Sequence, residues 1–103
     1  MHPLIHAKQD EIIRACQEYG IRKLEIFGSA ARSTDFDPDQ SDADFLVEFT
    51  SDDLGYFMSR YFDFRDRLTS ILSREVDLIE FSALKNPYII KSINEDRELV
   101  YEA

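Results

Sequence analysis

The stretch Leu24 to Phe49, LEIFGSAARSTDFDPDQSDADFLVEF, constrains what this chain can fold into more than any other. It reads as a short apolar strand, a Gly-Ser turn, a polar loop and a second strand that opens with two aspartates. Strand side chains alternate between faces, so Asp42 and Asp44 point one way while Ala43, Phe45, Val47 and Phe49 point the other. One face of this strand is therefore expected to carry chemistry and the other to build core. At a rise of about 3.3 Å per residue the two aspartate Cα atoms stand roughly 6 to 7 Å apart. That spacing lets the carboxylates lean together onto a pair of divalent ions about 3.5 to 4 Å apart. Hard carboxylate oxygens suit Mg²⁺ or Mn²⁺.

Gly28 follows the apolar run Leu24 to Phe27, where a glycine allows a sharp turn and a close backbone approach to a ligand. Ser29 to Arg32 (SAAR) can then start a helical turn, whose free N–H groups suit phosphate. A phosphate-binding turn beside a metal-binding aspartate pair points to nucleotidyl transfer, in which metals bridge a nucleoside triphosphate and activate an attacking hydroxyl. A rival pattern lies in the same loop. Asp37, Asp39, Ser41 and Glu48 fall at positions one, three, five and twelve of a calcium loop, but Asp42 occupies the sixth position, where glycine is needed. The second half also alternates like a strand, which argues against that reading. The blandest alternative, a solvated acidic turn, does not account for the Gly-Ser pair upstream or the apolar strand downstream.

At Gly28-Ser29, Ala31-Arg32 and Ser41-Asp42-x-Asp44 the chain resembles the minimal nucleotidyltransferases of the polymerase-β superfamily, whose signature is a Gly-Ser turn followed by an Asp-x-Asp strand. Within it, the chain is most similar to the small prokaryotic members that serve as antitoxins beside HEPN-domain ribonuclease toxins, and the resemblance covers nearly the whole length. Two departures stand out: Ser33 replaces the glycine common after the Ala-Arg pair, and the spacer from Ala30 to Ser41 has twelve residues rather than the usual ten. The family carries a third aspartate on a later strand, and Asp77 in EVDLIEF matches that position. An acid within an apolar run costs stability when buried unless it is paired or metal-bound, which also singles out Asp77; its plain alternative is an edge-strand charge that blocks aggregation.

Length and charge set the remaining bounds. A chain of 103 residues is expected to form one domain spanning 1–103, and 44% hydrophobic content with eight Phe and five Tyr indicates a folded one. The net charge of −9 and the scattered Lys and Arg disfavour a long nucleic acid and favour a basic protein partner. The lone Cys16 falls on an apolar helix face, as expected of a buried reduced thiol in a cytoplasmic protein, and no stretch approaches membrane-spanning length.

The chain pattern predicts a helix from about Pro3 to Tyr19 ended by Gly20, with His2 and His6 exposed, then a strand from about Ile21 to Phe27. Ser51 to Asp53 offer N-caps to an amphipathic helix with the stripe Phe57, Tyr61, Phe64, Leu68, Ile71 and Leu72, off which Tyr56, Met58 and Phe62 form a candidate partner surface. A buried strand over Glu75 to Phe81 follows, then a helix capped by Asn86-Pro87 with Tyr88, Ile89, Ile90 and Ile93 as its apolar side. Leu99 and Tyr101 alternate in a short final strand. The expected fold is α/β: a small mixed sheet with flanking helices.

The resemblance implies a transfer of AMP from ATP to a tyrosine of a HEPN toxin, with Asp42, Asp44 and Asp77 holding two Mg²⁺ ions and Asp77 helping to deprotonate the acceptor. Gly28, Ser29 and Arg32 would hold the nucleotide. The alternative is a non-catalytic binding antitoxin, or a subunit of a larger transferase, that neutralises its partner by contact. A transferase acting on RNA or on a small molecule such as an aminoglycoside is disfavoured by net acidity and by the lack of a second domain.

Overall fold

The computed structural model describes residues 1–32, 42–49 and 54–103, and the side chains of Ser29, residues 54–58 and Ser82 lie outside that description. The described elements are α1 (Pro3–Ala7), α2 (Gln9–Glu18), β1 (Ile21–Phe27), α3 (Ser29–Arg32), β2 (Ala43–Phe49), α4 (Leu54–Leu72), β3 (Val76–Glu80), a 3-10 turn (Phe81–Ala83), α5 (Pro87–Asp96) and β4 (Glu98–Glu102). The strands form one mixed sheet in the order β3-β2-β1-β4, as expected of the α/β class. β1 runs antiparallel to both β2 and β4, while β2 and β3 are parallel. A parallel pair needs a long crossover, and α4 supplies it.

Register assigns the faces of the sheet. Leu24 and Ile26 of β1 oppose Val47 and Phe45 of β2, and Phe45 opposes Leu78 of β3. These residues meet Ile5, Ile12 and Cys16 of α1 and α2 and Phe64, Leu68 and Leu72 of α4 in one buried cluster. Phe64, Leu68 and Leu72 recur every four residues, which puts them on one helix face. Each fully buried side chain of this size contributes about 1.5–3 kcal/mol. Asp44, Leu46 and Glu48 alternate onto the opposite face, and Leu46 there is only 2% exposed. The expectation of a single core face is thus corrected: Leu46 shares a second apolar layer with Ile90 and Ile93 of α5.

Several local expectations are corrected as well. The first helix breaks at Lys8, whose N–H bonds to the Ile5 carbonyl, and the separate first turn brings the His2 N–H to the Ala30 carbonyl at 2.8 Å. His2 is a cap rather than an exposed terminal residue, since its Nδ1 accepts from the Leu4 N–H at 3.1 Å. Gly20 does end α2, at φ +67°. Asn86 caps α5 through Oδ1, but Tyr88 and Ile89 point outward, at 84% and 47% exposure, leaving Ile90 and Ile93 to face the sheet. In β4 Val100 is buried and Leu99 exposed, because the β1/β4 register shifts between Leu24 and Glu25. The expected strand near Glu75 forms as β3 but at a sheet edge. Phe62 is exposed, whereas the side chains of Tyr56 and Met58, Ser33, the loop residues Asp37, Asp39 and Ser41, and the Ser51–Asp53 caps lie outside the described residues.

Candidate active site

The site is built where β1 ends against the start of β2. Phe27 opposes Asp44, so the next residue, Gly28, turns directly over that carboxylate. Gly28 has φ +71°, a conformation side chains disfavour, and a Cβ there would stand 2.6 Å from Asp44 Oδ2. The glycine is thus required by the aspartate as well as by the turn. Its carbonyl accepts from the N–H groups of Ala31 and Arg32, both at 3.1 Å, which folds α3 into a single turn. Ala30, fully buried, anchors that turn to the core.

Asp44 and Asp77 are direct register partners across the parallel pair β2 and β3. Neighbouring strands lie about 4.8 Å apart, so both carboxyls share one face at one level. Asp44 is half-buried, while Asp77 is exposed, so its importance cannot come from a burial cost, contrary to the sequence argument. Asp42 is exposed and lies one residue before β2. Burial lifts the Asp44 carboxyl from 3.8 to about 6, the charges of Asp77 and then Asp42 add to the rise, and Arg32 opposes it. Three charged groups, Asp77, Asp42 and Arg32, therefore act on the Asp44 carboxyl.

That crowding bears on metal. Among the described residues no three His, Cys, Asp or Glu side chains are gathered into a ready cage. What exists is a register pair of hard carboxylates with a third within electrostatic reach, a donor set that fits Mg²⁺ or Mn²⁺. A divalent cation there would relieve the repulsion that raises Asp44.

Arg32 is held by Asp96 at the end of α5, Nη1 to Oδ2 at 2.6 Å. Nothing local in the sequence marks Asp96, which lies 64 residues away. Glu25 was also missed: only 7% exposed, it opposes Leu46 and pairs with Lys23 and Arg97, each at 3.5 Å. An acid inside the apolar run LEIF was a legible signal for it. Of the expected nucleotide-holding residues, Gly28 and Arg32 flank the same turn, and the Ser29 side chain lies outside the described residues.

A glycine turn pressed against paired carboxylates on a small mixed sheet fits nucleotidyl transfer. The chain belongs to the nucleotidyltransferase domain family, whose model matches residues 10–100. It is 42% identical over 87 residues to a candidate protein adenylyltransferase of Methanocaldococcus jannaschii, covering 82% of this chain and 80% of that one. Its fold is similar to that of a solved candidate minimal nucleotidyltransferase, with a TM-score of 0.73, 22% identity and 95% of each chain covered. It is also similar, at a TM-score of 0.64 and 15% identity over 95% of this chain and 72% of the other, to a chain of the tri-AMPylated Shewanella oneidensis HEPN toxin in complex with its MNT antitoxin.

Proposed function

We propose that this nucleotidyltransferase transfers AMP from ATP to a tyrosine hydroxyl of a HEPN-domain toxin and so acts as its antitoxin. The observation that carries the reading is the Asp44–Asp77 register pair beside Gly28, in a family whose relatives are named for protein adenylylation. Asp42, Asp44 and Asp77 would hold Mg²⁺, two ions in all, or Mn²⁺. Bound there, the metal supplies charge neutralisation for the triphosphate and the attacking oxygen. Gly28 and the N–H groups of the turn at Ser29 receive phosphate, and Arg32 turns from Asp96 to add positive charge. Asp77, on the edge strand of the described sheet, accepts the proton of the incoming hydroxyl. The reaction belongs to the cytoplasm in this reading, and no described helix is long and apolar enough to cross a membrane.

A contact mechanism is favoured by one observation, the exposed Phe62, Tyr88 and Ile89 on an acidic chain, which suit a basic protein partner. Cells expressing the partner toxin separate the two. With catalysis essential, wild type protects and Asp44→Ala binds the toxin without protecting. Full protection by Asp44→Ala would leave contact alone as the mechanism.

A further inference from the structure

Where α5 hands over to β4, two neighbouring side chains hold two different parts of the protein. Asp96 takes Arg32 of the α3 turn, Oδ2 to Nη1 at 2.6 Å, and Arg97 takes the buried Glu25 of β1 at 3.5 Å. The Arg97 N–H also closes the helix on the Ile93 carbonyl at 2.8 Å. The end of α5 is thus fixed to β1, whereas Arg32 reaches it on a long, exposed side chain.

Asp96 is a costly residue for its place. The C-terminal end of a helix carries a partial negative charge, which a cation relieves and a carboxylate worsens. The last turn of α5 ends in Glu95-Asp96 and contains no basic residue of its own. Arg32, 64 residues away, supplies the cation from α3. The ion pair therefore offsets the charge at the end of α5 and at the same time occupies the guanidinium carried by the Gly28 turn. That guanidinium also acts on the Asp44 carboxyl, so it stands within electrostatic reach of both the helix end and the carboxylates. A triphosphate seated on the turn competes with Asp96 for Arg32, because phosphate and carboxylate oxygens bind a guanidinium in the same fashion and the triphosphate carries the greater charge.

We propose that Asp96 is a placeholder anion and positioning residue: it holds Arg32 beside the nucleotide turn until a triphosphate takes it, and that transfer of the guanidinium loosens the last turn of α5. The inference rests on the transfer reading above in one respect, the seating of the triphosphate at Gly28. Two consequences follow, each with a sign opposite to that of an ordinary site residue. Removing the Asp96 charge removes a competitor, so nucleotide binding tightens. Binding withdraws the cation that offsets Glu95 and Asp96, so the helix end loosens where a ligand commonly tightens its surroundings. Arg97, still on Glu25, confines the loosening to the last turn.

The test uses ATP with Mg²⁺ as the probe. By calorimetry Asp96→Asn should bind ATP roughly two- to fivefold more tightly than wild type, the range expected of one exposed ion pair. In an Arg32→Gln background the same change should have no effect. In wild type, ATP should speed amide hydrogen exchange at Glu95, Asp96 and Arg97 roughly two- to fivefold, as for one charge at a helix end. Leu24 and Leu68 should not respond, and Asp96→Asn should lose the response at the end of α5. The wild-type exchange measurement stands even if a variant fails to fold. Weaker ATP binding by Asp96→Asn, an equal gain in both backgrounds, or amides at the end of α5 that slow or stay unchanged with ATP would each overturn the placeholder. Shifts of the Gly28 and Ala31 amides on adding ATP report on the transfer reading itself. If they occur without the α5 response the placeholder alone fails, and if they are missing both fail.

Discussion

Asp44→Asn should make the metal-free protein more stable at neutral pH. The native carboxyl sits at about 6 against 3.8, raised by burial and by Asp77 and Asp42. The native state therefore holds this proton more tightly than the unfolded chain, and stability falls as pH rises through the window between those values. The charge penalty is small below about pH 4 and complete above about pH 6. The full interval corresponds to roughly 3 kcal/mol. Because the carboxyl is only half-buried, solvent screening reduces this to about 1–1.5 kcal/mol. For a chain of this size that is a rise in Tm of about 5–10 °C for the neutral variant. Thermal melts in chelator from about pH 4 to about pH 8 should show an advantage that grows with pH and then levels. Adding Mg²⁺ should stabilise wild type and leave the variant unmoved. An advantage independent of pH, or a variant less stable than wild type at neutral pH, would refute the crowding argument.

Gly28→Ala forces a side chain into left-handed backbone, at about 1–2 kcal/mol, and drives its Cβ against Asp44 Oδ2. Melts should show the destabilisation and calorimetry with ATP and Mg²⁺ a marked loss of affinity, and unchanged binding would remove the turn from the site. Cys16 is fully buried and its thiol is pushed up to about 12, so it should resist alkylation in the native state and react at once in denaturant. Fast native labelling would contradict the packing of α2 on the sheet. Phe64→Ala should cost about 3–5 kcal/mol in denaturant melts, and a loss below about 1 kcal/mol would move Phe64 out of the core.

The candidate site is legible where its signals are local. The Asp42-x-Asp44 spacing, the glycine ending an apolar strand and the acid in VDLIE all stand in short stretches of sequence. Strand periodicity placed Asp44 opposite Phe45, but it could not show that Leu46, on the carboxylate face, would be covered by α5. That depends on a helix some forty positions away. The Arg32–Asp96 and Glu25–Arg97 pairs stayed invisible for the same reason. The exposure of Asp77 is not legible in the sequence because an apolar run does not distinguish a central strand from an edge strand, and β3 is an edge of the described sheet. Composition alone points Tyr88 and Ile89 inward, although only Ile90 and Ile93, three apart, fall on the stripe that faces the sheet.

In the proposed function Asp44 and Asp77 act as one transfer centre, and Asp77→Asn tests this most directly, because Asp77 is exposed and its loss leaves the core untouched. The measurement is the intact mass of the partner toxin after incubation with ATP, Mg²⁺ and either wild type or Asp77→Asn. Wild type should add the mass of AMP to the toxin, and the variant, folded and still bound to its partner, should add none. Adduct formation by the variant at the wild-type rate would contradict the claim.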